Sequence, residues 1–483
     1  MSTTAKVSAR TRIESLLDEN SFVEIGALVK ARNTDFNMQT KETPADGVVT
    51  GYGVIEGKLV YVYSQDSTVL GGSIGEMHAQ KIADLYDKAI KMGAPIIGLI
   101  DSTGLRLQEA TDGLSAFGKI FAKQSLASGI VPQITAVFGN CGGGLSVIPA
   151  LSDFTFMENT KAQLFVNSPN AIPGNRKEVC DTASAEFQSK EAGLVNFVGT
   201  EAEIIAEMRT LIDMLPSNNE ECEMGDCEDD LNRACEGIEN CVEDTTIAVA
   251  NIADNGLVVE MTQDFAPEML TAFIRLNGAT VGVVANRTKI YDEEMNVKAE
   301  FEDKLTAKGC SKAADFITFC DAFEIPVLTL TNTTGYVATA NIEKNMAQTT
   351  AKLVYAYASA TVPKVNVIIG KAFGSAYITM GCKALDTDIV YAWPTAQIGM
   401  MDATNAVKIM YAEEIAASED AMATINDKIT EYNELQSSVE AAASHGYVDT
   451  IIDPVDTRKY VIGALEMLYS KREELPAKKH GTV

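Results

Sequence analysis

The sequence predicts an α/β protein built from two copies of one domain. Continuous apolar runs that read as buried strands alternate with amphipathic runs that read as helices, which is typical of parallel sheets with helical crossovers. An apolar strand followed by a glycine turn occurs twice, at residues 132–144 and 363–375. Because the period is a whole domain, it indicates duplication rather than a solenoid. Five landmarks of the first half recur 231 positions later: Pro95, Gly104, Pro132, Gly139 and Gly143.

Size and charge agree with this prediction and narrow the function. At 483 residues, the chain is too long for one hydrophobic core. It has no apolar run near the roughly 20 residues of a transmembrane helix, and its first residues do not resemble a secretion signal, so we expect a cytoplasmic protein. A net charge of −28 argues against nucleic acid as a partner, because nucleic acid binding requires a basic surface.

The first half is predicted to begin with an extension, residues 1–45, that carries a short helix around 11–19. The first domain, 46–215, opens with alternating apolar runs whose glycine connection indicates a β-hairpin. A loop with Gly71 and Gly72 then leads into a long helix. The predicted elements are, in order, strands at 49–54 and 59–64, a helix at 74–92, a strand at 94–100, a helix through 128, and strands from 132, at 154–156 and at 162–165.

The second half is predicted to follow an acidic linker, residues 216–244, which is rich in Asn, Glu, Asp and Cys. The second domain, 245–483, repeats the hairpin at 276–285 and the buried strand at 325–335. Beyond residue 407 the pattern is mostly helical, with one break at 446–454.

Histidine and cysteine patterns do not indicate a peptidase or a metal site. His78, one of three histidines, lies on an amphipathic helix and is expected to be partly exposed. No Ser-His-Asp or Cys-His arrangement, phosphate-binding loop or dinucleotide fingerprint can be assembled. The nine cysteines favour free thiols, and the spacing of one acidic cluster is looser than that of structural zinc sites. That cluster consists of Cys222, Cys227, Cys235 and Cys241.

The two glycine turns are the candidate functional elements. Glycine allows a close backbone approach, so each turn can present bare N–H groups at the start of the following helix. Such groups stabilise oxyanions when water is excluded. This property suits a reaction that passes through an enolate, in which charge develops on a thioester oxygen.

Several motifs together resemble the carboxyltransferase subunits of biotin-dependent acyl-CoA carboxylases, a family that includes propionyl-CoA carboxylase β and methylmalonyl-CoA decarboxylase α chains. The resemblance extends from about Arg10 to Gly481. The motifs are Gly71-Gly72-Ser73 with Glu76, His78 and Lys81, then Asp101-Ser-Thr-Gly-Leu-Arg-Leu-Gln-Glu109, Pro149-Ala-Leu-Ser-Asp-Phe154, Ala360-Thr-Val-Pro-Lys364, Lys371-Ala-Phe-Gly-Ser-Ala376, Tyr391-Ala-Trp-Pro-Thr395 and Gly446-Tyr-Val-Asp449.

The resemblance implies two crotonase-like domains in tandem and a carboxyl transfer between carrier-bound biotin and the α-carbon of a short-chain acyl-CoA. By match, one pair of amides would stabilise the thioester enolate and the other the ureido oxygen of biotin, and which pair serves which substrate stays open. For Arg106, a surface ion pair is an equal alternative to CoA binding. The implied residues are Gly143, Gly144, Ser375 and Ala376 for catalysis, Gly71, Gly72, Gly104 and Arg106 for CoA, and Gly335, Tyr336, Gly374 and Ile378 for the biotin or acyl pocket.

The resemblance also implies partners. The chain lacks an Ala-Met-Lys-Met biotinylation motif, so biotin is expected on a separate carrier protein. A biotin carboxylase subunit would indicate the carboxylase direction, and a membrane decarboxylase subunit would indicate the reverse. The family further implies a homo-oligomer, a hexamer arranged as a trimer of dimers.

Substitutions in several family motifs leave the acyl group undetermined, and two other functions remain open. A crotonase-like hydratase or isomerase would need an acidic base near a glycine turn, and none follows at suitable spacing. A non-catalytic scaffold would keep the assembly without binding substrate. The departures from the family pattern are Thr103, Leu105, residues 334–339 and 345–349, Ser375 and Ile378.

Overall fold

The computed structural model describes residues 7–32, 36–221, 225–292, 294–473 and 475. It divides into two compact units, Met1–Cys222 and Glu223–Val483. Each unit has one eight-stranded sheet. Among the described residues, no helix combines the length and the apolar character needed to cross a membrane.

In the first unit, β1, β2 and β3 pair antiparallel, and the strands from β3 onward are parallel. The sheet order is β1-β2-β3-β4-β5-β6-β8, with β7 paired to the far end of β5. The strands are β1 (Val23–Ile25), β2 (Val48–Ile55), β3 (Lys58–Gln65), β4 (Ile96–Ser102), β5 (Gln133–Gly142), β6 (Phe154–Glu158), β7 (Gln163–Phe165) and β8 (Phe197–Gly199). The helices are α1 (Ala9–Leu16), α2 (Glu76–Met92), α3 (Ala110–Ala127), α4 (Val147–Leu151), α5 (Ala185–Lys190) and α6 (Glu201–Met214).

The second unit repeats this plan, with sheet order β9-β10-β11-β15-β17-β18-β20 and β19 paired to β17. Its strands are β9 (Val259–Glu260), β10 (Met269–Leu276), β11 (Ala279–Asn286), β12 (Lys289–Tyr291), β13 (Val297–Glu300), β14 (Lys304–Leu305), β15 (Val327–Thr333), β16 (Gly335–Tyr336), β17 (Lys364–Phe373), β18 (Ile389–Ala392), β19 (Gln397–Gly399) and β20 (Thr450–Ile451). Its helices are α7 (Thr245–Ile252), α8 (Ala307–Ala322), α9 (Ala340–Ser359), α10 (Gly374–Thr379), α11 (Ala403–Met410), α12 (Ala412–Ala417), α13 (Ala421–Tyr432), α14 (Val439–Ser444) and α15 (Thr457–Leu468).

The predicted duplication is confirmed by the strand registers. The hairpins β2–β3 and β10–β11 are both antiparallel, and each is followed by parallel pairing to the next central strand. The register shifts between Ile100 and Ser102 in the β4–β5 pair, and between Thr331 and Thr333 in the β15–β17 pair. An irregularity at the same place in both units shows that the repeat extends to backbone detail.

Two segments that look peripheral in the sequence are packed into the units. Helix α1 buries Ile13 and Leu16 completely, although the sequence places it in an extension. In the acidic segment, Cys235 and Ile238 are fully buried in the core of the second unit. Helix α1 and the acidic segment are each anchored by these few buried residues. The proposed limits of the linker, 216–244, stay a prediction.

Candidate active site

The first glycine turn follows β5. Gly143 has a φ of +65°, and the chain from Gly143 to Ser146 forms a 3₁₀ turn before α4. A Cβ atom at Gly143 would meet no atom within 4 Å, so open space lies beside the turn. Because the first amides of a helical turn have no acceptor within the helix, the first N–H groups of this segment are not bonded inside the turn itself.

The second glycine turn lies at the equivalent position after β17. Gly374 has a φ of +61° and begins helix α10 directly, without a 3₁₀ turn. Ser375 is exposed, whereas Ala376 is buried. A Cβ at Gly374 would lie 3.2 Å from the Met400 carbonyl oxygen. The second turn is therefore more closely covered than the first.

The glycines predicted to bind CoA lie together near the end of β5. The Thr103 N–H donates to the Gly71 carbonyl oxygen at 3.0 Å. A Cβ at Gly72 would lie 2.5 Å from the Asp101 carbonyl oxygen, and one at Gly104 would lie 3.7 Å from the last carbonyl of β5. The structure thus brings the 71–72 loop, the 103–104 loop and the first glycine turn into one region.

Arg106 is buried, with 2% of its surface exposed. Its Nη1 lies 2.7 Å from both Asp46 Oδ1 and Glu109 Oε1. Its Nη2 donates to the Ser73 carbonyl oxygen at 2.7 Å. The guanidinium makes ion pairs, as the alternative interpretation expected, but inside the protein rather than at its surface. These bonds hold the loop that contains the predicted CoA glycines.

The two carboxylates that bind Arg106 also bind the N-terminus of α2. Glu109 Oε2 accepts from the Glu76 N–H at 2.6 Å, and Asp46 Oδ2 accepts from the His78 N–H at 2.8 Å. Acceptors at this end of a helix satisfy free amides and oppose the positive end of its dipole. Burial raises the pKa of Asp46, although the positive charge of Arg106 opposes that change.

The expectation that His78 is partly exposed is wrong, because the residue is completely buried. Its Nδ1 lies 2.9 Å from the Asp46 carbonyl oxygen, and its Nε2 lies 3.2 Å from Gln65 Nε2. A proton on Nδ1 and none on Nε2 satisfies both bonds. Burial lowers the pKa of His78 to about 3, so the ring is neutral near pH 7. The helical pattern did not reveal this burial because the partners come from distant segments.

The predicted biotin or acyl residues gather around α10. Gly335 and Tyr336 form β16, which pairs with β14. The Tyr336 hydroxyl lies 2.7 Å from Thr379 Oγ1, which donates to the Ser375 carbonyl oxygen at 2.9 Å. Ile378, on the same helix, is 42% exposed. Tyr336 is therefore connected through one hydroxyl to the helix that carries the second pair of amides.

The sequence analysis did not identify the two side chains that pack against the central strands β5 and β17, shortly before each glycine turn. A Cβ at Gly139 would lie 2.1 Å from Asp101 Oδ1, and a Cβ at Gly370 would lie 2.5 Å from Asn332 Oδ1. Asp101 and Asn332 are themselves 231 positions apart. The spacing of the repeat was the signal that could have identified them.

The described members of the cysteine cluster, Cys227, Cys235 and Cys241, do not form a metal-binding group. Across the described ranges, no group of three or more His, Cys, Asp or Glu residues could hold a metal ion. Cys235 is buried in the second core, and Cys227 Sγ lies 3.4 Å from Asp254 Oδ2. Cys222 and His480 lie outside the described residues.

Comparison with known proteins identifies a matching family model and several similar proteins. The carboxyl transferase domain model matches residues 3–483. Methylmalonyl-CoA decarboxylase subunit alpha of Propionigenium modestum is 40% identical, over 99% of this chain and 93% of that protein. The propionyl-CoA carboxylase beta chain of Saccharopolyspora erythraea is 39% identical, over 99% of this chain and 90% of that protein.

The structure is similar to that of the transcarboxylase 12S hexamer solved with methylmalonyl-CoA and methylmalonic acid bound. The TM-score is 0.91 at 37% sequence identity, covering 98% of this chain and 92% of the other. The methylmalonyl-CoA carboxyltransferase 12S subunit of Propionibacterium freudenreichii subsp. shermanii is 38% identical, over 99% of this chain and 91% of that protein.

Proposed function

The chain belongs to the carboxyl transferase family and is a carboxyltransferase of the propionyl-CoA carboxylase β and methylmalonyl-CoA decarboxylase α type, and on that premise we propose that its two glycine turns hold the reacting oxygens. Its fold is the tandem crotonase-like fold expected from the sequence. The reaction moves a carboxyl group between biotin and the α-carbon of a short-chain acyl-CoA. The hydratase or isomerase alternative is not supported.

The observation that carries the proposal is the equivalence of the two turns. Gly143 and Gly374 both take a left-handed backbone conformation, at φ values of +65° and +61°. Amides placed in advance where charge develops stabilise an oxyanion without reorganisation. We assign the amides of Gly143 and Gly144 to one oxygen and those of Ser375 and Ala376 to the other. One oxygen belongs to the thioester enolate and one to the biotin ureido group.

The residues around each turn would select the substrates. In the first unit, Gly71, Gly72 and Gly104 would allow close approach of CoA, with Arg106 holding their loop. The buried position of Arg106 favours this indirect role over contact with the ligand. In the second unit, we assign the biotin or acyl pocket to Gly335, Tyr336, Gly374 and Ile378, where the exposed apolar side chain of Ile378 would line the pocket.

Family membership supports a proposal for the assembly. Biotin would arrive on a carboxyl carrier protein, and a biotin carboxylase or a membrane decarboxylase subunit would complete the reaction. We propose a cytoplasmic homohexamer, since the similar transcarboxylase 12S forms a hexamer. Residues 46–215 and 245–483 would be its two carboxyltransferase domains. Copurification of the biotinyl protein and the other subunits bound to this chain would identify the direction of the reaction.

The direct test is decarboxylation by the purified chain. With free biotin and malonyl- or methylmalonyl-CoA, the protein should release the decarboxylated thioester. Folded protein that turns over no short-chain acyl-CoA would contradict the proposal. If calorimetry also detects no acyl-CoA binding, the scaffold alternative is correct.

A substitution at Ser375 tests the role of the amides. Ser375→Pro removes one N–H at a place in the first turn of α10 where proline is tolerated, and it should lower kcat by about 100-fold. Ser375→Ala keeps the N–H and should change kcat by less than about threefold. Equal losses in both variants would indicate that the side chain, not the amide, is required.

A further inference from the structure

We propose that Arg12, on the N-terminal helix α1, is a positioning residue for the acyl-CoA side of the site and acts through Asp101. The inference rests on the proposed assignment of Gly71, Gly72 and Gly104 to acyl-CoA. Arg12 lies outside the segment predicted as the first carboxyltransferase domain. It therefore gives the N-terminal extension a role in substrate binding.

Arg12 is fixed on several sides inside the first unit. Only 2% of its surface is exposed. Its Nε and Nη2 donate to the two carboxylate oxygens of Glu201, at 3.2 and 3.0 Å. Its Nη1 lies 3.5 Å from Asp101 Oδ2, and its guanidinium carbon lies 4.8 Å from the centre of the Phe138 ring. A bidentate guanidinium with an aromatic neighbour has little freedom to move.

Asp101 connects two parts of the proposed site. Its carboxylate packs against Gly139 on β5, where a Cβ would lie 2.1 Å from Oδ1. Its carbonyl oxygen packs against Gly72, where a Cβ would lie 2.5 Å away. The position of Asp101 therefore sets the distance between the loop that contains Gly71 and Gly72 and strand β5, which leads to the first glycine turn. Arg12 holds the carboxylate from helix α1, and the Ser67 hydroxyl donates to Oδ2 at 2.9 Å.

The second unit shows that a charge is not needed to fill this space. Asn332 takes the place of Asp101 and packs against Gly370 in the same way. Its Oδ1 accepts from the Lys371 N–H at 3.0 Å, and its Nδ2 donates to the Val242 carbonyl oxygen at 3.4 Å. A neutral amide thus supports the second turn. The Asp101 carboxylate of the first unit has an additional role, which is to form an ion pair with Arg12.

The experiment measures KM for each substrate in Arg12→Gln, Asp101→Asn and the double variant. In Arg12→Gln the buried Asp101 carboxylate loses its cation, so KM for acyl-CoA should rise about tenfold. KM for free biotin should stay within about twofold. Asp101→Asn copies the second unit and should raise KM for acyl-CoA only about threefold. The double variant should match Asp101→Asn, because Arg12 acts through that carboxylate.

Arg209→Gln is the matched control, because Arg209 also holds the N-terminal segment but does not reach Asp101. Its Nη1 donates to the Leu16 carbonyl oxygen at 2.8 Å, and its Nη2 lies 2.8 Å from Asp18 Oδ1. It should leave KM for acyl-CoA unchanged. The proposal is overturned if Arg209→Gln raises that KM as much as Arg12→Gln, or if the double variant binds acyl-CoA no better than Arg12→Gln.

Two further comparisons test the proposal if Arg12→Gln does not fold or if the unmodified chain shows no turnover. If Arg12→Gln alone does not fold, equality of Asp101→Asn and the double variant supports the proposal, and a further rise of KM in the double variant contradicts it. If the unmodified chain shows no turnover, the proposed function fails by itself. The dissociation constant for acyl-CoA, measured by calorimetry in the same variants, then tests Arg12 under the same criteria.

Discussion

The two units have the same backbone around the central strand but stabilise it by different chemistry. In the first unit, buried charged groups hold the loops: Arg12 with Asp101, and Arg106 with Asp46. In the second unit, the place that corresponds to Asp101 is held by a neutral amide, that of Asn332. This difference indicates that duplication preserved the position of the turns while their surroundings changed. Two turns with unlike surroundings suit two unlike substrates.

Alanine in place of two tightly packed glycines tests the backbone that the two units share. Gly139→Ala and Gly370→Ala place a Cβ 2.1 Å from Asp101 Oδ1 and 2.5 Å from Asn332 Oδ1. Each substitution should lower the free energy of unfolding by about 3 kcal/mol, because a close-packed interior resists added volume. Gly139→Ala should cost more, because the carboxylate that it displaces is held by Arg12. Denaturant unfolding and activity measure both variants.

Two helical glycines provide the controls. Gly118 in α3 and Gly463 in α15 have no atom within 4 Å of an added Cβ. Alanine at either position should stabilise the protein by up to about 1 kcal/mol, because glycine is unfavourable within a helix. If Gly139→Ala or Gly370→Ala were equally well tolerated, the neighbouring side chains could move aside, and the close packing would not be essential.

The next comparison concerns one aspartate in each unit. Asp153 Oδ2 accepts from the Gln133 N–H at 2.8 Å, and Asp388 Oδ2 accepts from the Lys364 N–H at 2.8 Å. In the second unit, Lys471 Nζ also lies 2.9 Å from Asp388 Oδ2. Burial raises the pKa of Asp153 to about 7. The two aspartates thus make the same backbone contact in different states. Asp388 is paired with a lysine, whereas burial favours the neutral acid form of Asp153.

Replacement by asparagine should therefore have opposite effects in the two units near pH 8. Asp388→Asn removes one of two carboxylates that pair with Lys471, the other being that of Glu473, and should destabilise the protein by about 1 kcal/mol. Asp153 stays protonated in the folded state up to about pH 7, whereas the unfolded residue ionises above about pH 3.9. The folded state then binds the extra proton, so stability falls as pH rises from 4 to 7.

Asp153→Asn lacks this titration. It should match the unmodified chain at pH 4 and exceed its stability by a few kcal/mol at pH 8. Urea unfolding at a series of pH values measures the difference. Parallel pH profiles for Asp153→Asn and the unmodified chain would show that Asp153 is ionised in the folded state, and the contrast with Asp388 would disappear.

The sequence predicted the duplicated fold and the location of both turns, because backbone requirements leave a mark on sequence. Gly143 and Gly374 take positive φ angles, and Gly139 and Gly370 have no room for a side chain, so all four stay glycine at one spacing. Side-chain partners leave no such mark. Arg12 meets Glu201 across 189 positions, and neither local pattern nor the repeat indicates that contact.

The two units should also differ, by a smaller amount, in how much stability they lose in acid. His78 is buried in the first unit, and Gly309 stands 231 positions later in the second. Burial lowers the pKa of His78 to about 3, while an unfolded histidine titrates near 6.5. The unfolded state binds the proton first, so stability is lost as pH falls from about 6.5 toward 3.

His78→Gln should remove part of this loss and improve stability relative to the unmodified chain by about 1 kcal/mol on going from pH 7 to pH 5. Hydrogen exchange locates the effect, since amides of α2 should lose protection in acid before those of α8 in the unmodified chain. Equal loss of protection in both helices would contradict an acid-sensitive first unit.

A substitution at Tyr336 tests whether each unit has its own substrate. Tyr336→Phe removes only the hydroxyl that lies 2.7 Å from Thr379 Oγ1. The loss of one hydrogen bond should cost about 1 kcal/mol, and KM for biotin should rise about fivefold while KM for acyl-CoA stays constant. Thr379→Val removes the same bond from the other side, so the double variant should show less than the sum of the two changes. Arg12→Gln is expected to do the reverse, raising KM for acyl-CoA alone. If Tyr336→Phe raised both KM values equally, the unlike surroundings of the two turns would not correspond to unlike substrates.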